Sequence, residues 1–380
     1  MMEQINCLKM LKRLMMISGI WRLPLETKSL QGLYDKYSIV FQCYFYLFVL
    51  SLGVATIIVW NISMDMVVEN LGVLILCVIM IIKIGICQTD TIKSLLRHVF
   101  KKEEELKASD DEESKQIYIR YQNVAFVITR IIVIHTISVG VSLLLTKYLF
   151  YWNMEKNQSY PNVTLYRKKP LPYITWLPFD SDQHFITAFV LHSISAFMGV
   201  NYNSVTAIFF LSVMIFICGQ LAILQHKIRI LDTTLHNSNW KNVTNELRAL
   251  IVDHKTIIEY SEKFNNAVKM ILLLDFTLNS LQVASLIFQL ITMELNVVMI
   301  FLVIYLTLMV LQIFLLSWQA NEVKEHSLRI ADAIYDHAWH EQIISIRKTL
   351  LMMMMRSQKP LTLTIGPLYA ITNSTSLTVF

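Results

Sequence analysis

The 380-residue chain is 55% hydrophobic and only 16% charged, with a formal net charge of +5; an average soluble domain is about 25% charged. Several apolar runs reach the ~20 residues a helix needs to cross a bilayer, which excludes an ordinary soluble enzyme or binding module. The basic residues are scattered between those runs rather than gathered in one stripe, which argues against a nucleic-acid partner.

The composition predicts an all-α polytopic membrane protein in a single domain. Residues 1–36 are mixed and polar, with no cleavable apolar segment ahead of a small-residue site, so the first span is expected to act as the insertion signal. Seven apolar segments follow in order: Tyr37–Trp60, Leu71–Ile92, Val124–Leu145, Phe185–Leu224, Leu272–Met293, Val297–Trp318, and from about Leu361 to the end. The fourth is too long for one crossing at ~1.5 Å per residue. It gains Gln225, His226, Lys227 and Arg229 near its end and is expected to run on as a helix into water. The tract 101–115, with Glu103, Glu104, Glu105, Asp110 and Asp111, reads as a solvated helix-loop linker with i, i+4 pairs.

Positive charge sets the expected orientation. Lys9, Lys12, Arg13 and Lys28 precede the first span, and Lys93, Arg97 and Lys101 follow the second. Lys227, Arg229 and Lys241 follow the fourth, and Lys324, Arg329 and Arg347 follow the sixth. The N-terminus is therefore expected in the cytosol. The sequons at Asn61, Asn157 and Asn162 then lie outside and are glycosylation candidates; those at Asn242 and Asn373 do not. None of Cys7, Cys43, Cys77, Cys87 and Cys218 falls in an outside segment, so all five are read as small apolar core residues.

Polar residues within a span are costly in lipid and should face protein or a water-filled cavity. His135, Ser138 and Ser142 share one face of the third span, and His192, Ser195, Gly199 and Tyr202 share one face of the fourth. Two such stripes facing each other could bound a ligand cavity, with Met80, Phe301 and Tyr305 as apolar walls. Interhelical packing by small residues explains the same pattern without a ligand. Arg130 and Asp275 sit toward the cytosolic ends of their spans, where snorkelling accounts for each. His337, His340 and Glu341 have a His-x-x-His-Glu order. A zinc protease needs His-Glu-x-x-His, so no metal or cofactor is expected. Ile334, Ala338 and Trp339 read instead as the buried edge of an amphipathic helix.

The most specific string lies near the C-terminus: Ile334, Tyr335, Trp339, Arg347 and Lys348, then Met355-Arg356-Ser357-Gln358-Lys359-Pro360-Leu361. In order and spacing it resembles the C-terminal signature of insect odorant receptors. The segment from Leu171 to Asp180, Leu-Pro-Tyr-Ile-Thr-Trp-Leu-Pro-Phe-Asp, is similar to that family's pattern before its fourth span. A G-protein-coupled receptor is excluded by the inverted orientation and by the lack of Asp-Arg-Tyr and Asn-Pro-x-x-Tyr motifs.

The resemblance implies an odorant-gated cation channel in the plasma membrane of sensory neurons. It implies odorant binding between the second, third, fourth and sixth spans, and a heterotetramer with the family's co-receptor. Tyr335 and Trp339 are then subunit-interface candidates. The short segment 231–265 lacks the co-receptor's insertion. Family members continue for roughly another helix beyond Phe380, so the last span is expected to be incomplete. A gustatory receptor is the alternative, argued against by the Arg-Ser-Gln-Lys-Pro string. A transporter is a third reading, with neither inverted repeats nor broken helices to support it.

Overall fold

The computed structural model describes residues 8–25, 27–60, 64–157, 170–235, 240–292, 297–336, 339–341, 343–367 and 369–372. The helices are α1 (Lys9–Ile17), α2 (Lys28–Val59), α3 (Met64–Cys87), α4 (Asp90–Ala108), α5 (Glu112–Asn157), α6 (Phe185–Leu235), α7 (Trp240–Thr292), α8 (Val297–Tyr335) and α9 (Ile344–Ser357). Two strands follow, β1 (Thr364–Ile365) and β2 (Tyr369–Ala370). Among the described residues, α2, α3, α5, α6, α7 and α8 are long and apolar enough to cross a membrane.

One of these six differs from the rest. In α6, 83% of the most apolar stretch is buried by protein, against 28% to 39% in the other five. Polar residues within a span should face protein and not lipid, and α6 carries Ser195, Asn203, Ser204 and Thr206 along its apolar stretch, which places it in the interior. Helix α6 is the central post, packed most extensively by α5 and α8 and also by α7, α3, α1 and α2. Its 51 residues reach ~75 Å at ~1.5 Å per residue, far beyond the ~30 Å of a hydrocarbon core. It therefore runs past the membrane without a break, as its apolar-then-charged sequence predicts. Helices α5, α7 and α8 are likewise longer than one crossing. We call the end holding the α3–α4, α6–α7 and α8–α9 connections the basal end, and the other the distal end.

Three sequence expectations change. The second apolar segment does not run to Ile92. Helix α3 stops at Cys87, and the Thr89 hydroxyl accepts from Ile92 N at 3.5 Å, capping α4 with Asp90 in its first turn. The tract after it is only partly solvated, because Glu103 is buried and accepts from the Tyr118 hydroxyl at 2.8 Å. Residues 8–23, mixed in sequence, pack onto the bundle through α1. Leu8, Leu11, Met15, Ile20 and Trp21 are all buried, and Ser18 accepts from Asn201 of α6 at 2.9 Å.

The third change concerns the seventh segment. Among the described residues, 361–367 and 369–372 form no helix. Thr364 and Ile365 pair with Ala370 and Tyr369 in a short antiparallel ribbon. The physical reason is Gly366-Pro367: the proline has no N–H to donate and disfavours helical backbone at the residue before it. Gly366 takes φ +58° instead. The ribbon is tied to α7, where Gly366 N donates to Lys269 O at 2.8 Å and Thr364 N to Asn265 Oδ1 at 2.9 Å. Of the cysteines, Cys77, Cys87 and Cys218 are core residues as expected, but Cys43 is exposed and Cys7 lies outside the described residues.

The N-terminal hook turns on Gly19, at φ +66°. Its carbonyl accepts from Ser38 Oγ and, at 2.7 Å, from Gln42 Nε2 of α2. A Cβ at position 19 would stand 3.2 Å from the Ser38 Cα, a backbone atom that cannot swing away. Gly19→Ala is expected to destabilise the protein by ~1–2 kcal/mol from the left-handed backbone alone, lowering the thermal midpoint of the detergent-purified protein by several degrees. An unchanged midpoint would contradict this account of the hook.

Candidate ligand site

At the distal half, α2, α3, α6 and α8 enclose an aromatic cluster closed by the segment 170–184. Gly199 of α6 faces it: Met80 Sδ of α3 and Phe45 Cε2 of α2 lie 3.8 and 3.9 Å from where a Cβ would stand, room for a methyl group in ordinary contact but not for a larger side chain. Tyr202, one turn along α6, meets Phe45 edge-to-face at 5.0 Å and Phe41 at 6.0 Å. Ser195 shares a hydroxyl contact of 3.1 Å with Tyr44, which also donates to Leu191 O at 2.8 Å. His192 contacts the Thr175 hydroxyl through Nε2 at 2.6 Å.

The lid comes from the segment before α6. Tyr173 sets its ring 5.4 Å from Phe48 and 6.0 Å from His192. Trp176 N donates to Ser51 O at 3.2 Å, fixing the segment to α2. On the α8 side Phe301 and Tyr305 stack at 5.8 Å and 7°, and the Tyr305 hydroxyl accepts from Gln282 of α7. The Tyr202 hydroxyl and His192 Nδ1 are buried without a hydrogen-bond partner among the described residues. Such groups are expensive in an apolar setting; they lie ten residues apart on α6, about 15 Å along the helix, so a ligand with one polar group would satisfy one or the other.

The two polar stripes do not face each other as expected. The α6 stripe turns toward α2, α3 and the lid. On α5, His135 Nε2 lies 3.2 Å from Ile304 O of α8, Ser138 is exposed, and Ser142 donates to Val139 O of its own helix at 2.9 Å. Helix α5 meets α6 through Thr136 and Ser204 instead. Met80, His192, Ser195, Gly199, Tyr202 and Tyr305 are thus brought together with Phe301 stacked behind, while the α5 trio is not. Sequence reasoning missed Tyr44, Phe45, Phe48, Tyr173 and Thr175. Of these only Tyr173 and Thr175 carried a signal, in the Leu171–Asp180 pattern.

The other sequence candidates are dispersed. Asn61 and Asn162 lie outside the described residues, as does the side chain of Asn157. Tyr335 is 70% exposed at the end of α8. Trp339 is half-buried against the core in a 3₁₀ turn beside His340, while His337 and Ala338 lie outside the described residues. Ile334 is buried. Arg130 is exposed. Asp275 is not snorkelling: it forms an ion pair with Lys83 of α3, whose side chain is 3% exposed. Removing one partner of a buried pair typically costs ~3–5 kcal/mol because the other charge is left unpaired, so the pair fixes the register of α3 against α7.

A cleft of about 140 Å³ opens at the basal end between α4, α6 and α7. Burial lowers the His98 pKa there, and positive Lys102 adds to the effect. Lys102 is itself held by Glu105 at 3.1 Å and Asp253 at 3.3 Å. The charges of this cleft are satisfied internally, so it reads as part of the α4–α7 contact.

The comparisons decide the family. A family model described as 7tm Odorant receptor matches residues 63–379. The chain belongs to the odorant receptor family. Odorant receptor 10 of Aedes albopictus is 32% identical over 206 residues, 53% of this chain and 55% of that protein. Odorant receptor Or2 of Anopheles gambiae is 35% identical over 127 residues, 33% of this chain and 34% of that protein. The chain thus matches about half the length of one of these curated relatives and about a third of the other. The fold is similar to that of the insect olfactory receptor OR5 from Machilis hrabei, with a TM-score of 0.75 at 18% identity, covering 98% of this chain and 94% of that one. A structure of the same receptor in complex with eugenol aligns with a TM-score of 0.73 at 17% identity. The family is one of multi-pass membrane receptors, not enzymes.

The Tyr44 hydroxyl is the polar tie between α2 and α6 in this cluster. Tyr44→Phe is expected to cost ~1 kcal/mol in stability, read as a thermal midpoint a few degrees lower. Pairing it with Ser195→Ala should cost less than the two changes added, since they share one contact. Strict additivity would mean that the contact contributes nothing.

Proposed function

We propose that the chain is an odorant-specific receptor subunit that binds a small, mostly apolar molecule among Met80, His192, Ser195, Gly199, Tyr202, Phe301 and Tyr305. The carrying observation is the enclosed aromatic cluster with two buried, unpartnered polar groups, the Tyr202 hydroxyl and His192 Nδ1, in a member of the odorant receptor family. That combination favours an odorant with one hydroxyl, carbonyl or phenol on an apolar frame. His135, Ser138 and Ser142 are assigned to packing. The complex of a structural relative with eugenol, a phenol, is consistent with this ligand class.

The channel reading follows from the family resemblance. The subunit assembles with the co-receptor into a tetrameric, non-selective cation channel in the plasma membrane of sensory neurons, with its N-terminus in the cytosol. Asn61, Asn157 and Asn162 are then glycosylation candidates. Tyr335 is the stronger subunit-interface candidate. It is exposed at the basal end together with Ile343, Ile344, Met352 and Met355, a large apolar surface for a segment expected in water. Ligand binding opens the pore by favouring the open state over the closed one.

The test is whole-cell recording with co-receptor present, using a panel of small phenols, alcohols and ketones. Gly199→Leu fills the space beside Met80 and Phe45 and is expected to reduce the odour response at least tenfold at matched surface labelling, while Ser138→Leu leaves it unchanged. A normal response from Gly199→Leu would overturn the site. An N-terminal epitope should label only after permeabilisation, and labelling of intact cells would overturn the orientation.

A further inference from the structure

Lys83 Nζ pairs with Asp275 of α7 and donates to Asn203 Oδ1 of α6 at 3.1 Å. Asn203 Nδ2 in turn donates to Gln312 Oε1 of α8 at 3.1 Å. One polar chain therefore joins α3, α7, α6 and α8. Gln312 and Lys83 are both more than nine-tenths buried. The adjoining cavity, lined in part by Asp275, Asn279 and Gln312, measures about 20 Å³, the size of one water molecule.

Its position relative to the candidate ligand cluster is the same on each helix. On α3, Lys83 lies one turn basal of Met80. On α6, Asn203 directly follows Tyr202. On α7, Asp275 lies two turns basal of Gln282, the partner of Tyr305. On α8, Gln312 lies two turns basal of Tyr305. Any displacement of the ligand-side residues is carried along four rigid helices into one shared set of hydrogen bonds. Hydrogen bonds weaken steeply as their distance and angle depart from the optimum, so the set is sensitive to helix shifts. A charged pair inside apolar spans is also costly to bury and often no more stabilising than apolar residues in its place, which marks it as a candidate for function.

We propose that Lys83, Asn203, Asp275 and Gln312 form a latch that holds the four helices in the resting arrangement, and that ligand binding acts by loosening it. The proposal rests on the receptor reading above and names positioning residues, not ligand contacts. Weakening the latch favours the active arrangement before any ligand arrives.

The experiment records basal current without odorant, then the odour concentration response, at matched surface labelling with co-receptor. The variants are Lys83→Gln, Asp275→Asn, the exchange K83D/D275K, and Gln312→Met, which removes one hydrogen bond and leaves no buried charge unpaired. Basal current is expected to rise at least fivefold in Lys83→Gln, Asp275→Asn and Gln312→Met, with half-maximal odorant concentration falling by a similar factor. The charge exchange should return both toward the parent. If the charged variants fail to reach the surface, Gln312→Met decides alone. Surface-delivered variants with parental basal current and sensitivity would overturn the latch, since a merely structural pair would alter delivery without touching either readout. A complex that passes no current in any variant would overturn it as well. A parent that conducts but answers no odorant would count against the ligand reading instead, and the basal currents would still decide the latch.

Discussion

The constraint on which the rest depends is the burial of α6. A span that carries His192, Ser195, Asn203, Ser204 and Thr206 is costly in lipid unless protein covers those groups, and in this fold five spanning helices, an N-terminal hook and a closing loop do so. Those partners present one face to α6 and leave their other apolar faces to meet lipid. The arrangement also determines where polar groups can go. Ser195, Tyr202, Asn203 and Ser204 lie on the faces of α6 that protein covers, away from the exposed stripe of Ile186, Val190, Ile194 and Phe197, so each is directed at a neighbour. The candidate ligand site and the buried ion pair are both consequences of that single placement.

Energetically the two differ in kind. The ligand cluster is held by ring packing, worth ~0.5–1.5 kcal/mol per aromatic pair beyond burial, with few hydrogen bonds and two unpartnered polar atoms. It can adapt. The Lys83–Asp275 pair is rigid by comparison, because either charge left alone in an apolar interior costs several kcal/mol. Soft walls above and a stiff polar joint below suit a receptor in which a weakly held ligand must shift four helices together.

The six described spans were legible in the sequence because an apolar run of ~20 residues matches the thickness of a bilayer core and is rare in water-soluble folds. The extension of α6 was legible in the same way, from apolar residues running unbroken into Gln225, His226 and Lys227. The site was legible only by halves. Spacing identified which residues share a face on α6 and on α5, but not which neighbour each face meets. That is decided by packing, and the α5 face turned to α8 and to the outside. Lys83 is a single charge in a long apolar run, and nothing local marks it, since its partner lies 192 positions away on α7. The ribbon at 364–370 did have a local signal, Gly366-Pro367, which the surrounding apolar residues masked. The hook at 8–23 had a weaker one in Trp21 and Gly19, easily missed among lysines.

The central claim is that the ligand sits between α2, α3, α6 and α8 beneath the Tyr173 lid, and not on the α5 side of the bundle. Photolabelling of the receptor in lipid nanodiscs with a diazirine-bearing phenol tests it most directly. Labelled peptides are expected to map to Met80, to the stretch from His192 to Tyr202 and to Tyr305, with competition by the unlabelled phenol. Competable labelling confined to Ser138, Ser142 and their neighbours on α5, with none on α3 or α6, would contradict the account.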